Sequence, residues 1–166
     1  MPGTADTPSA DLRRELWNAR VEADMRKRYF ARMAQRAHVR DRVLRVAVFF
    51  TSSVTGVTAA TDLGVGPEWF AFVTALLAAA SFTLDFGAVA TKHTGFAVAW
   101  SRIYQDTLDL WTESEQRVLA YHDVRAALRA IQRRIEPIDQ QSIPYRVNTQ
   151  VLTQCFEQAE AYAFAQ

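Results

Sequence analysis

The chain has 166 residues with 19 Lys and Arg against 18 Asp and Glu, so its net charge of +1 points to no charged partner. This length accommodates a membrane hairpin and a small helical bundle, but no separate catalytic domain. Cys155 is the single cysteine, which excludes an internal disulfide and a cysteine-rich metal site. The opening sequence MPGTADTPSADLRREL lacks an apolar core, so we expect no cleavable signal peptide.

The first part of the chain predicts a basic amphipathic helix. Residues 1–8, rich in Thr, Pro and Gly, predict a disordered leader. Ser9 is a candidate N-cap for a cytoplasmic helix over residues 9–42, which we expect to continue into the apolar segment that follows. One face of this helix carries a basic stripe, formed by Arg28, Arg32, Arg36 and Arg40. Three interpretations of the stripe stay open: a solvated face, contact with anionic lipid headgroups, and a nucleotide-binding site.

Two apolar segments come next, residues 43–60 and 69–90, separated by the linker TDLGVGPE. Helices of roughly 18 and 22 residues reach about 27–33 Å, close to the hydrocarbon thickness of a bilayer. The charged residues inside the segments are Arg45 and Asp85, each near one end. The segments therefore predict a two-span transmembrane hairpin. The alternative is an apolar hairpin buried inside a soluble helical protein.

The distribution of positive charge predicts how the hairpin is oriented. Basic residues cluster before the first segment and resume with Lys92 and Arg102, whereas the linker holds Asp62 and Glu68 and no basic residue. Positive charge close to a span stays on the cytoplasmic side. We expect a multi-pass protein of the cell inner membrane with both termini in the cytoplasm.

Each apolar segment carries a stripe of hydroxyl and small side chains. The members of the stripes are Thr51, Thr55 and Thr58 in the first segment and Thr74, Ala78, Ser81 and Asp85 in the second. Helical geometry places the second set within about 40° of one another around the helix axis. One interpretation is close helix packing, with hydroxyls bonded across the contact. The other is the lining of a water-filled pore, which the terminal carboxylate favours for Thr74, Ser81 and Asp85.

Arg45 and Asp85 face each other if the hairpin folds about residue 65. Pairing lowers the cost of placing a charge in a membrane, which is about 2.5–3.5 kcal/mol near the bilayer centre. An Arg45–Asp85 ion pair, within one hairpin or between hairpins, that sets the register is one hypothesis. A ring of Asp85 carboxylates that favours cations at a cytoplasmic pore mouth is the other.

Residues 91–166 predict a cytoplasmic helical region, so the fold class is an all-α membrane protein whose terminal helices form a bundle. The run Thr112–Glu115 has the form of a capping box and predicts a new helix or a bend. An amphipathic stripe, which we expect Pro137 to end, consists of Val124, Leu128, Ile131 and Ile135. A last helix is predicted from about Asn148, with Cys155 in its core face.

Catalytic patterns are absent from the sequence. The histidines stand singly at positions 38, 93 and 122, without the spacing of metal ligands. Gly64 and Gly66 lie in the linker and not after a strand, so they predict a turn and not a phosphate loop. We expect no enzyme, no cofactor, no metal and no direct contact with nucleic acid.

The layout resembles the SLATT family, two-transmembrane effector domains associated with prokaryotic nucleotide-sensing and conflict systems. The matching features are the Arg-rich segment RKRYFARMAQRAH, a tight two-span hairpin, the juxtamembrane segment TKHTGFAVAWSRIYQDTLDLW and a long helix of mixed charge. The resemblance covers about residues 11–165.

This resemblance implies an oligomeric effector that forms pores or otherwise disrupts the inner membrane in antiviral defence by abortive infection. Its trigger would be a separately encoded sensor or signal-generating protein, or a nucleotide second messenger bound through Arg28, Arg32 or Arg36. Two other hypotheses stay open from the residues themselves. One is a non-conducting membrane adaptor whose cytoplasmic helices dock a partner protein, and the other is a soluble bundle.

Overall fold

The computed structural model describes residues 10–61, 67–116, 120–143, 145 and 147–164. This part of the chain is helical and contains no strand, which confirms the all-α fold class. Its helices are α1 (Ala10–Thr61), α2 (Pro67–Leu84), α3 (Phe86–Glu115), α4 (Tyr121–Ser142) and α5 (Thr149–Phe164). The predicted leader, Ser9 and the centre of the linker lie outside the described residues.

Helix α1 runs without interruption for 52 residues, so the prediction that the basic helix continues into the first apolar segment is confirmed. Asp11 in its first turn is favourable at the positive end of the helix dipole. The chain has no Pro or Gly between Ala10 and Thr55 to break the helix. The same helix therefore carries polar sequence at one end and apolar sequence at the other.

The chain divides into two compact units, and both α1 and α3 contribute to each of them. We call residues 32–93 the hairpin; it contains the second part of α1, all of α2 and the start of α3. We call residues 10–31 together with 94–164 the bundle; it contains the remaining parts of α1 and α3, with α4 and α5.

The bundle has an apolar core to which all four of its helical segments contribute. Its most deeply buried large side chains are Leu16, Trp100, Ile103, Val124, Leu128 and Cys155. In α4 the predicted stripe is confirmed, because Val124, Leu128 and Ile131 are buried and Ile135 is half-buried. The expectation that Cys155 belongs to the core is confirmed as well.

The run Thr112–Glu115 marks a helix boundary, as predicted, but it does not cap the new helix. Helix α3 ends at Glu115, and α4 begins at Tyr121, after Ala120, which offers no side-chain cap. The hydroxyls of Thr112 and Ser114 donate to carbonyls one turn earlier, at 2.9 and 2.7 Å. Such back-bonding satisfies Ser and Thr inside a helix, so these hydroxyls do not cap a new one.

Pro137 does not end α4, which continues to Ser142. Proline removes one intrahelical hydrogen bond, and packing beyond it compensates for that loss. The turn after Pro137 carries Asp139, whose carboxylate pairs with Arg26 of α1. The prediction of a last helix from about Asn148 is confirmed, because the Asn148 side chain accepts the Val151 N–H at 3.1 Å and caps α5.

Candidate functional site in the hairpin

The hairpin contains the strongest candidate for contact with a membrane. Among the described residues, one helical path, Trp69–Glu115, is long and apolar enough to cross a bilayer. None of its apolar 18-residue window is buried. The core helix of a soluble protein passes the same test of length and composition, but such a helix is mostly buried. The finding supports one possible membrane span, and the first predicted span stays a prediction.

Large apolar side chains cover the outer surface of both long helices of the hairpin. On α1 the exposed set includes Val46, Phe49 and Phe50, with Phe49 75% exposed. On α2 it includes Trp69, Phe72 and Leu76, each at least 60% exposed, and the Trp69 and Phe72 rings stack with centroids 6.1 Å apart. Surfaces of this size are rare on soluble monomers and mark contact with membranes or other proteins.

The predicted pore-lining side chains lie on the less exposed face of each helix. Thr51, Thr55, Thr74 and Ser81 are all half-buried, and we call these four side chains the hydroxyl seam. Ala78 is half-buried on the same face of α2, whereas the side chain of Thr58 lies outside the described residues. The two helices thus turn the hydroxyls of the seam away from the apolar outer surface.

Every hydroxyl of the seam donates a hydrogen bond to its own helix. Thr51 donates to Ala47 and Val48, and Thr55 donates to Thr51, over 2.8–3.1 Å. Thr74 and Ser81 donate to the carbonyls of Phe70 and Leu77, each at 2.8 Å. A donor satisfied in this way costs little in an apolar environment and needs no water. The seam therefore fits helix packing within one hairpin, and its role as a pore lining stays a prediction.

Asp85 interrupts the predicted second span, because α2 ends at Leu84 and α3 begins at Phe86. Its φ angle of 30° lies in the left-handed region, where a residue other than glycine is strained. The exposed Asp85 carboxylate accepts the N–H of Ala88 at 3.1 Å, as an N-cap does. Asp85 thus holds the start of α3, a role that the pattern of apolar residues did not indicate.

Arg45 forms its ion pair within α1 and not across the hairpin. Its Nη2 lies 2.9 Å from Asp41 Oδ2, and the described side chains include no Arg45–Asp85 ion pair. The three groups nevertheless lie at the same end of the hairpin, because atoms of Arg45, Asp41 and Asp85 each come within 3.9 Å of the position that a Cβ on Gly87 would occupy. This proximity agrees with the prediction that positions 45 and 85 lie opposite each other in the hairpin.

The basic stripe of α1 is divided between the two units. Arg28 belongs to the bundle, where its Nε donates to Asp24 at 2.7 Å and its guanidinium lies 5.4 Å from the centre of the Tyr162 ring. Arg32 is half-buried, and Arg36 and Arg40 are exposed in the hairpin. Of the four candidates for lipid or ligand contact, Arg36 and Arg40 have the most accessible side chains.

Sequence reasoning missed a buried acidic residue of the bundle, Asp24, which is 3% exposed. Its carboxylate binds Lys27 Nζ and Arg28 Nε, each at 2.7 Å, and the Lys27 ammonium lies 3.8 Å from the centre of the Tyr104 ring. The spacing of an acid three and four residues before two bases is a signal of such pairing on a helix. The many arginines nearby concealed it.

A cavity of about 180 Å³ opens in the bundle beside Arg26, Tyr29, Tyr145 and Leu152. Arg26 is already paired with Glu22 at 2.7 Å and with Asp139, and its guanidinium stacks 4.8 Å above the Trp100 ring. The cavity thus offers mainly aromatic and aliphatic surface, and the charge of its one arginine is neutralised by two carboxylates.

His93 is buried near the end of the hairpin, and this burial lowers its pKa below the ordinary value of 6.5. The described residues contain no cluster of three or more His, Cys, Asp or Glu side chains that could hold a metal ion.

The chain matches no protein-family model, no curated protein and no solved structure. The resemblance to the SLATT family consequently rests on sequence layout and stays a prediction.

Proposed function

We propose that the protein is a membrane effector that inserts as a two-span hairpin and permeabilises the inner membrane as an oligomer. The proposal rests on the distribution of side chains in the hairpin. Phe49, Phe50 and Leu76 are exposed, whereas the hydroxyl seam is half-buried. In water such a surface aggregates, whereas in lipid it is solvated. The biological setting that we propose is a prokaryotic antiviral or abortive-infection system.

The proposed orientation places the bundle and both termini in the cytoplasm. Arg36, Arg40 and Arg42 precede the first span, and Lys92 and Arg102 follow the second. Basic residues this close to spans are retained on the cytoplasmic side and bind anionic headgroups. A cytoplasmic bundle is then available to a separately encoded sensor or to a nucleotide signal.

A pore requires several copies, because two helices enclose no lumen. In the proposed open state, the seams of neighbouring hairpins face a common axis and Asp85 lies at the cytoplasmic mouth, where its carboxylate favours cations. The hydroxyls would then exchange their intrahelical bonds for water.

The alternative is a non-conducting membrane adaptor whose bundle docks a partner protein. One observation favours it: the seam hydroxyls are half-buried and satisfied within one hairpin, so no assembly is needed to complete them. An adaptor needs only the apolar outer surface and the bundle.

Dye influx and membrane potential in cells expressing the full chain separate the two functions. The test variant is Thr74→Val with Ser81→Ala, which removes two seam hydroxyls with little change in volume. The matched control is Thr83→Val with Ser53→Ala, because Thr83 and Ser53 are exposed and make the same bonds to their own helices, each at 2.9 Å.

A pore lined by the seam predicts depolarisation by the wild type and the control, and at least about a tenfold smaller dye influx in the test variant, since an apolar constriction dewets. Equal influx in both variants contradicts a seam-lined pore. No influx from the wild type at high membrane abundance, with and without infection, supports the adaptor.

A further inference from the structure

Two exposed faces of the bundle carry opposite charges. On α4, Arg125, Arg129 and Arg133 are exposed and recur every four residues, so they lie on one side of the helix. On α5, Glu157 and Glu160 are exposed, and this helix has no basic residue. The three arginines extend over about two turns of α4 and outnumber Glu136, which is exposed on the same side, so this face has a net positive charge. The two glutamates of α5 lie within one turn of each other.

These charges are unpaired within the described part of the chain. Three other arginines of the bundle form ion pairs: Arg26 binds Glu22 and Asp139, Arg28 binds Asp24, and Arg134 binds Asp106. By contrast, no ion pair joins Arg125, Arg129 or Arg133, or the α5 glutamates, to another described side chain.

The acidic face borders an apolar groove of about 320 Å³ between α1 and α5. Trp17, Val21 and Met25 of α1 and Phe156 of α5 line it, and Glu160 lies at its edge. Phe156 is 45% exposed, so the groove presents apolar surface to a partner. An apolar centre with a charged rim is the usual anatomy of a specific protein interface.

We propose that the partner is a second copy of this chain, whose α4 arginine face binds the groove and the glutamates beside it. On α4, Ala126 and Ala130 are exposed beside the three arginines. This face therefore presents guanidinium groups together with small apolar side chains. Arginine forms strong, directional pairs with carboxylates. Because the two surfaces differ, each copy can use both of them, and contacts of this kind extend into rings or chains.

This inference rests on the proposed function, which needs several hairpins in one assembly, and it identifies the bundle surface that brings them together. The test uses the full chain in detergent micelles, with particle mass measured by light scattering. Variant A is Glu157→Arg with Glu160→Arg, and variant B is Arg129→Glu with Arg133→Glu. The matched control for A is Asp109→Arg with Glu113→Arg, the same charge change at two exposed residues of α3 that do not line the groove.

We expect the wild type and the control to assemble, and A and B each to dissociate on the order of 10- to 100-fold more readily. An equal mixture of A and B restores assembly, because each contact then joins faces of opposite charge. High salt weakens the wild-type assembly.

A monomeric wild type, assembly of A or B alone, or failure of the mixture to assemble overturns the proposal. So does a B variant that assembles normally but loses binding to anionic vesicles, since α4 then serves lipid. Dye influx is scored separately: assembly without influx contradicts the pore alone, and influx from a variant A that still assembles contradicts this interface alone.

Discussion

The bundle buries large apolar side chains in a core, whereas the large apolar side chains described in the hairpin are exposed or half-buried. Trp100 and Ile103 in the bundle are at most 1% exposed, and Phe49 and Phe50 in the hairpin are at least 68% exposed. The seam hydroxyls of the hairpin are half-buried, whereas Ser53 and Thr83 are exposed. The same chain thus follows the rule of a water-soluble core in one unit and the rule of a membrane segment in the other.

Truncation of a large apolar side chain gives the largest expected difference in stability loss between the two units. We expect Trp100→Ala to destabilise the bundle by about 3–5 kcal/mol, since it removes a fully buried ring. The matched change Phe49→Ala in the hairpin leaves no cavity, because lipid or detergent fills the space. Thermal unfolding of the full chain in detergent, followed by circular dichroism, measures both, and equal losses would contradict the comparison.

Two ion pairs of α1 with the same i, i+4 spacing sharpen the contrast. Asp24→Ala leaves Lys27 and Arg28 without their buried carboxylate, and we expect a loss of about 3 kcal/mol. Asp41→Ala removes the partner of Arg45, a side chain that is 74% exposed, so we expect a loss of only about 0.2–1 kcal/mol. The same unfolding assay compares the two variants, and a larger loss for Asp41→Ala is the contrary result.

Substitution of Asp85, between α2 and α3, is expected to have a smaller effect on stability. Asp85→Ala removes the cap on Ala88 while keeping a Cβ at a positive φ, and we expect a loss of about 1 kcal/mol. Asp85→Asn retains an oxygen acceptor and a side chain that tolerates this conformation, so stability stays within about 0.5 kcal/mol. If Asp85 lies at a pore mouth, the Asn variant also loses cation preference in a planar-bilayer recording. Strong destabilisation by Asn would instead indicate that the negative charge itself is essential.

Protonation of His93 gives the smallest expected effect. Burial lowers its folded-state pKa, so the unfolded chain binds the proton more readily than the folded chain. Its contribution to stability is therefore complete above about pH 6.5 and decreases as the pH falls through that value toward the lowered pKa. We expect His93→Gln to reduce this pH dependence of unfolding, measured by chemical denaturation at a series of pH values. If the free energy of unfolding depends on pH equally in the wild type and in His93→Gln, His93 makes no pH-dependent contribution to stability.

Periodicity and charge were sufficient to predict the helices, because those signals are local. The continuity of α1, the buried stripe of α4 and the Asn148 cap of α5 all follow from residues within a few turns. Pro137 and the capping role of Thr112 were misread for the opposite reason. Their outcome depends on the pairing of Asp139 with Arg26, more than 100 residues away, and on hydroxyls that bond backward along their own helix.

The candidate site was predictable in composition but not in orientation. The sequence shows that Thr51, Thr74 and Ser81 share helix faces, and only the folded hairpin shows that these faces are turned away from the exposed apolar surface. The same limit applies to Arg45, for which a nearer partner, Asp41, was available on its own helix. A stripe on one helix does not reveal which neighbour covers it.

Cysteine accessibility in intact and lysed cells tests the central claim that the hairpin crosses the membrane. In a Cys155→Ala background, single cysteines replace Val65 in the linker, Phe49 on the outer face of α1 and Thr149 at the start of α5. We predict that an impermeant maleimide labels Cys at 65 once the outer envelope is opened, labels Cys at 149 only after lysis, and never labels Cys at 49 in membranes. Labelling at all three positions only after lysis, with the protein recovered without detergent, would contradict the account.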